Sequence, residues 1–145
     1  MSKEPTEEDT VSALLMEVRV LESTYNELSS RQNLLERALV ENRAALDALN
    51  GLGGSDSQEE VLVQIGGGAM LRSKPPSTDN VLLGIGANVV IEKPKAEAVA
   101  LLEERSREVE KTIMSISGQR NEIAHRLDSD RQVLNSLVSR REEEQ

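Results

Sequence analysis

An apolar heptad repeat runs unbroken through the first third of the chain. With Val11 as position a, the a and d positions extend to Leu49, and only Gln32 and Asn42 among them are polar. Neither glycine nor proline interrupts the repeat. A 3.5-residue apolar period held over this length is typical of a coiled coil. The sequence therefore predicts a long first helix over residues 10–50.

A second heptad repeat follows Pro94. With Val99 as position a, nine of its twelve a and d positions are apolar. The three polar positions are Ser106, Arg120 and Asp130. Proline suits the first turn of a helix because its missing N–H has no intrahelical partner there. The pattern predicts a second coiled-coil helix over residues 94–140.

The two predicted helices are similar in length and are joined through the middle of the chain. This favours an antiparallel helical hairpin with both chain ends at one tip. In that register Tyr25 lies near Arg120, and Asn42 near Glu104. Polar residues in such a seam are expected to fix the register at some cost in stability. The glycine-rich stretch 50–57 (NGLGGSDS) is predicted to end the first helix and to form a flexible joint.

Between the helices the apolar period changes to two. Val61 to Arg72 (VLVQIGGGAMLR) and Val81 to Glu92 (VLLGIGANVVIE) are similar at an offset of twenty residues. Glycines at the middle of each segment favour turns. The sequence predicts a duplicated β-hairpin, turned by residues 66–68 in the first copy and by Gly86 with Asn88 in the second. The predicted strands are 61–65, 69–73, 80–85 and 87–92, with a proline-containing connector at 73–80.

Four short strands cannot bury their own apolar faces, and an isolated hairpin is marginal in water. The hairpins are therefore expected to join those of other chains in a shared β-barrel, from which the helices project. The predicted oligomer interface consists of the apolar strand residues Val61, Leu62, Val63, Ile65, Met70, Leu71, Val81, Leu82, Leu83, Ile85, Val89, Val90 and Ile91.

Composition and charge exclude several classes of function. The net charge of −9 disfavours binding to the phosphate backbone of nucleic acids. The chain has no cysteine, so it has no disulfide and no thiolate metal site. No stretch approaches the ~18 apolar residues of a membrane span, and the polar start MSKEPTEEDT does not resemble a secretory signal. A cytoplasmic protein without membrane or nucleic-acid partners is expected.

No catalytic, cofactor or metal site is predicted. The triple glycine at 66–68 lacks the Lys-Ser/Thr of a P-loop, and Gly84-Ile85-Gly86 opens no helix, as a dinucleotide loop must. His125 is the chain's one histidine, and no cysteine or second histidine accompanies it at metal-binding spacing. We expect a protein that is not an enzyme and needs no cofactor.

The order helix, two β-hairpins, helix resembles the alpha-class subunit of prefoldin, the co-chaperone of archaea and eukaryotes. The likeness is carried by VLV at 61–63 with the following IGGGAML, and by VLLGIGANVVIEK at 81–93 leading into Ala96-Glu97-Ala98. It spans about residues 10–140. Two hairpins favour the alpha class, because the beta class has one. The resemblance implies a single prefoldin-like domain over 1–145, of the α+β class.

The resemblance also implies partners and an activity. Two alpha and four beta subunits would form a hexamer in which the alpha subunits pair with each other at a double β-barrel. The coiled-coil tips would hold unfolded polypeptides without ATP and deliver them to a group II chaperonin.

Apolar residues near both chain ends are the candidate client-binding surface. They are Val11, Leu15, Met16, Val20, Val133 and Val138, hereafter the tip residues. All but Val11 lie outside the seam, where exposed apolar side chains suit weak binding without sequence preference. The alternative for Leu15, Met16 and Val20 is that they widen the seam.

Two other functions stay open from the residues. The chain could be a structural coiled-coil adaptor, oligomerised through its hairpins and docking one folded partner, or it could be a subunit of an enzyme. Binding to several unrelated denatured proteins would separate the chaperone from the adaptor.

Overall fold

Residues 3–52 and 59–145 are described by a computed structural model of the chain. They form α1 (Glu7–Gly51), β1 (Val61–Gly66), β2 (Ala69–Ser73), β3 (Asn80–Gly86), β4 (Val89–Pro94) and α2 (Lys95–Glu143). The predicted order of helix, two β-hairpins and helix is confirmed. The chain divides into two compact units, the terminal unit (Met1–Glu36 with Lys111–Gln145) and the hairpin unit (Arg37–Glu110). In the predicted joint, α1 ends at Gly51 and residues 53–57 lie outside the described residues.

Helix α1 begins at a reciprocal cap between Thr6 and Asp9. The Asp9 amide donates to Thr6 Oγ1 at 3.2 Å, and the Thr6 amide donates to Asp9 Oδ2 at 3.0 Å. Such a pair satisfies N–H groups that the first turn leaves without intrahelical partners. The hydrogen bond from the Thr6 hydroxyl to the Asp9 carboxylate lowers the pKa of Asp9. The helix therefore starts four residues before the first apolar heptad position.

The heptad pattern predicts burial correctly along both helices. Every predicted a and d residue is buried or half-buried, including the polar ones. The helices are antiparallel within each unit. In the terminal unit, Glu17 pairs with Arg126, and Glu22 Oε1 lies 2.6 Å from Arg131 Nη2. In the hairpin unit, an ion pair joins Arg43 to Glu110.

Arg120 forms a polar layer within the seam of the terminal unit. Its Nη2 donates to the Tyr25 hydroxyl and its Nη1 to Gln32 Oε1, both at 2.9 Å. Its guanidinium carbon also lies 4.8 Å from the centre of the Tyr25 ring, within the range of a cation–π contact. The predicted proximity of Tyr25 and Arg120 is therefore confirmed, whereas that of Asn42 and Glu104 stays a prediction.

The strands form two separate two-stranded antiparallel sheets, β1–β2 and β3–β4. Each hairpin has a one-residue bulge, at Ile65 or Ile85, followed by a glycine with φ of 107°. The two residues of each turn have positive φ, as a type I′ turn requires. The duplicated segments thus fold alike, although Ala87-Asn88 replaces Gly67-Gly68.

The last strand lies two residues later than the predicted 87–92. Ala87 and Asn88 have φ of 49° and 60°, which places them in the turn rather than in a strand. At the other end, Asn80 pairs with Pro94, so the proline belongs to β4 and not to the first turn of α2. The Lys95 amide then donates to the Asp79 carbonyl at 3.0 Å as α2 begins.

We predict that substitutions in the polar layer change the stability of the chain in opposite directions, depending on whether Arg120 is kept. Replacing Gln32 and Arg120 together by leucine should raise the melting temperature, because apolar packing replaces a desolvated cation whose Nε has no hydrogen-bond partner. Tyr25→Phe should instead lower the free energy of unfolding by about 1 kcal/mol, since Arg120 keeps its charge and loses an acceptor. Thermal and urea unfolding followed by circular dichroism measure both. A double variant that melts below the wild type would contradict this account.

Candidate interaction surfaces

The second hairpin packs against the helix ends of its own unit. One face of β3–β4 carries Val81, Leu83 and Ile91, since Leu83 and Ile91 are directly paired. Leu83 is buried with Ala98 and Leu102 of α2, and the cluster also contacts Leu46 and Leu49 of α1. Apolar burial therefore fixes this hairpin on the helices.

A polar contact adds to this anchoring. Arg105 of α2 donates from Nη2 to the carbonyl oxygen of Gly84, 2.9 Å away and next to the bulge of β3. The second hairpin is thus held both by its apolar face and by its backbone.

The first hairpin has no comparable cover in the described chain. Val63 and Leu71 share one face, and Met70 lies on the other. All three are exposed, and Val63 is 46% exposed where the equivalent Leu83 is 7% exposed. Both faces of β1–β2 therefore present apolar side chains to solvent.

The predicted interface residues consequently fall into two groups. Leu83 is buried and Val61, Val81 and Ile91 are half-buried within the chain. The exposed group is Leu62, Val63, Ile65, Met70, Leu71, Leu82, Ile85, Val89 and Val90. That this second group meets other subunits stays a prediction.

The tip residues all lie in the terminal unit. Val11 is half-buried as a seam residue. Leu15, Met16 and Val20 on α1 are exposed, as are Val133 and Val138 on α2, and Met16 reaches 69% exposure. These five side chains do not fill the seam of this chain, although their binding role stays untested.

Sequence reasoning missed three further exposed apolar residues. Leu34, Val40 and Met114 are each 65% to 75% exposed. They occupy outward heptad positions well inside the helices, so their places in the repeat would have identified them. They provide a natural comparison for the tip residues.

Metal sites and membrane-spanning helices are other features that residues 3–52 and 59–145 could contain. These residues contain no group of three or more His, Cys, Asp and Glu side chains that could hold a metal ion. Their helices include none that is long and apolar enough to cross a membrane. His125 is exposed on α2.

Comparison with known families agrees with this architecture. The family model described as "Prefoldin subunit" matches residues 21–139. The chain belongs to the prefoldin family. Prefoldin subunit alpha of Nitrosopumilus maritimus is 30% identical over 138 residues, which cover 95% of this chain and 91% of that protein. Prefoldin subunit alpha of Methanoregula boonei is 40% identical over 102 residues, 66% of each chain.

Solved prefoldin structures share the fold at lower identity. A chain of the filamentous PFD from Methanocaldococcus jannaschii matches with a TM-score of 0.63 and 20% identity, covering 79% of this chain and 94% of that one. The prefoldin beta subunit from Thermococcus strain KS-1 matches with a TM-score of 0.61 and 17% identity, covering 94% and 96%. The resemblance to prefoldin alpha subunits is confirmed, and membership makes the chain a chaperone-type subunit.

We predict that the two faces of the second prefoldin hairpin differ sharply in their effect on stability. Leu83→Ala should lower the free energy of unfolding by about 2–4 kcal/mol, because it leaves a cavity beside Ala98 and Leu102. Leu82→Ala is the matched control, since this neighbour is 70% exposed and should change stability by less than about 0.5 kcal/mol. Urea unfolding of this chain alone measures both. Equal losses would show that Leu83 is not anchored as described.

Proposed function

We propose that this chain is the alpha-type subunit of an ATP-independent holdase. In this proposal it assembles with beta-type prefoldin subunits as two alpha plus four beta, with the alpha subunits paired through their hairpins at a double β-barrel. The complex works in the cytoplasm and hands unfolded polypeptides to a group II chaperonin.

The observation that carries the proposal is the exposure of apolar tip residues outside the seam. Leu15, Met16 and Val20 lie within two turns of α1, near its capped start, and Val133 and Val138 lie near the end of α2. Contact between these side chains and the apolar groups that unfolded chains expose is favourable, by roughly 25 cal/mol for each Å² of apolar surface buried. That attraction needs no fixed shape or sequence, which suits many clients.

Electrostatics supports the same function. Acidic side chains near both ends of the chain, among them Glu7, Glu8 and Glu142, keep an empty apolar surface dispersed in water. The Glu8–Arg141 pair, at 3.6 Å, lies at the surface, and exposed pairs of this kind contribute little to stability. These charges therefore serve solubility more than folding.

Assembly is supported by the difference between the hairpins. β1–β2 exposes apolar side chains on both faces, whereas β3–β4 buries Leu83 and exposes Leu82 and Val90 on its other face, together with Ile85 and Val89 next to the turn. Isolated hairpins with apolar faces and unpaired edges favour pairing with other strands. Barrel formation with other subunits would bury these surfaces.

Assembly predicts a defined mass. This chain mixed with a single-hairpin beta-type prefoldin subunit from the same organism should form a complex of two alpha and four beta chains, because a shared barrel would pair the open strand edges and bury exposed apolar side chains of the hairpins. Light scattering after size-exclusion chromatography measures the mass. A stable dimer of this chain that ignores the beta subunit would reject the hexamer.

Holdase activity should depend on the tip residues. In the assembled complex, replacing Leu15, Met16 and Val20 by serine should weaken the suppression of aggregation for several unrelated denatured proteins. The concentration of complex that is needed for the same suppression should rise severalfold. The matched control replaces Leu34, Met114 and Val40 by serine, because these are the same residue types with similar exposure.

Turbidity assays with and without each variant complex measure the effect. Unchanged suppression in the tip variant, or equal loss in both variants, would remove the tip residues from the proposal. Suppression limited to one client would favour the adaptor function.

A further inference from the structure

A groove in the terminal unit lies between the two helices beside Tyr25. It has a volume of about 440 Å³, within the range of small-ligand sites, roughly 300–1,000 Å³. Its walls are one stripe from each helix, at spacings of three and four residues that place side chains on one face. The lining residues are Glu22, Tyr25 and Asn26 of α1, and Ala124, Leu127, Asp128 and Arg131 of α2.

The apolar part of the groove is held in place by the polar layer. Tyr25 accepts a hydrogen bond from Arg120, whose guanidinium also covers its ring, so the ring cannot turn freely. Leu127 is buried and Ala124 half-buried beside it. Tyr25 and Ala124, with the small exposed part of Leu127, offer a preformed surface to an aliphatic chain, which lowers the entropic cost of binding.

The charged part of the groove is unbalanced. Arg131 is already paired with Glu22 at 2.6 Å. Asp128 is exposed and makes no hydrogen bond or ion pair with any of the described residues. Among the lining residues, the charge that is left without a partner is therefore that of Asp128, and its complement is a cation.

We propose that this groove binds a lysine or arginine side chain of an unfolded client. The aliphatic stem lies along Tyr25 and Leu127, and the charged end reaches the Asp128 carboxylate. Long basic side chains combine an apolar stem with a cationic end in this way. The inference rests on the proposed holdase function and names the client chemistry that one part of the terminal unit selects.

Other occupants fit less well. An acidic side chain would face Asp128 and would compete with Glu22 for Arg131. A purely apolar segment would desolvate three charged groups without replacing their contacts with water. Client segments that mix apolar and basic residues are therefore favoured over acidic ones.

The chain supplies its own reporter for this groove. Tyr25 is the one tyrosine of the sequence, so 3-fluorotyrosine incorporated into this chain gives a single ¹⁹F signal inside the groove. The full chain, assembled with unlabelled beta-type subunits, is titrated with a twelve-residue peptide of Leu, Ser, Gly and Lys. A second peptide carries Glu at every Lys position.

The lysine peptide should shift the ¹⁹F signal saturably and the glutamate peptide should not. Asp128→Asn should weaken binding of the lysine peptide about two- to fivefold, as expected for one exposed ion pair. Glu122→Gln is the matched control, because it removes an exposed charge from the same helix outside the groove and should leave the affinity unchanged. Unchanged helicity and melting of both variants establish that they fold.

Three results would overturn the proposal. They are a signal that does not respond to the lysine peptide, equal binding of both peptides, and equal weakening by the two variants, which would indicate attraction to the net charge alone. The same preparation is assayed for aggregation suppression. Suppression without a peptide response rejects only the groove, whereas a response without suppression rejects the holdase function and leaves the groove as a cation-binding site.

Discussion

Burial of the a and d side chains between α1 and α2 is the interaction on which the rest of the molecule depends. The chain has no Trp, no Phe and one Tyr, so it has few residues that could fill a thick core. Leucine, isoleucine and valine along a narrow seam suffice for two helices. The same narrowness leaves apolar residues at other heptad positions in solvent, and some of these side chains form the proposed client-binding surface.

The two hairpins show how one local sequence pattern gives two different surfaces. Both have the same bulge, the same turn geometry and almost the same apolar alternation. They differ in what lies beside them, since Leu83 meets Ala98 and Leu102 while Val63 meets solvent. Duplication has therefore produced one hairpin that stabilises its own chain and one whose faces remain to be covered.

Much of this fold could be predicted from the sequence, because periodicity reports burial directly. The helices, their pairing and the number of strands follow from heptads and alternation. The start of β4 does not, because Ala87 continues the alternating pattern although the backbone reverses there with positive φ. The docking of the second hairpin on the helices could not be predicted either. The two hairpins have nearly the same local sequence pattern, and only contacts with distant segments distinguish them.

Some parts of the candidate sites could likewise be predicted from the sequence, and others could not. Exposed positions such as Met16 and Met114 follow from the heptad, but the groove beside Tyr25 needs both helices in register before its lining residues meet. The sequence indicates that register through the similar lengths of the two helices, and the contact between Tyr25 and Arg120 agrees with it.

The hydrogen bond from Arg105 to Gly84 also bears on the direction in which strands can be added. A carbonyl that already accepts from a guanidinium offers less to the amide of an incoming strand. Arg105 thus occupies one backbone acceptor of β3, and charged side chains are among the features by which proteins limit pairing at sheet edges. In the proposed assembly through hairpins, a strand added to the second hairpin would therefore find this acceptor already in use.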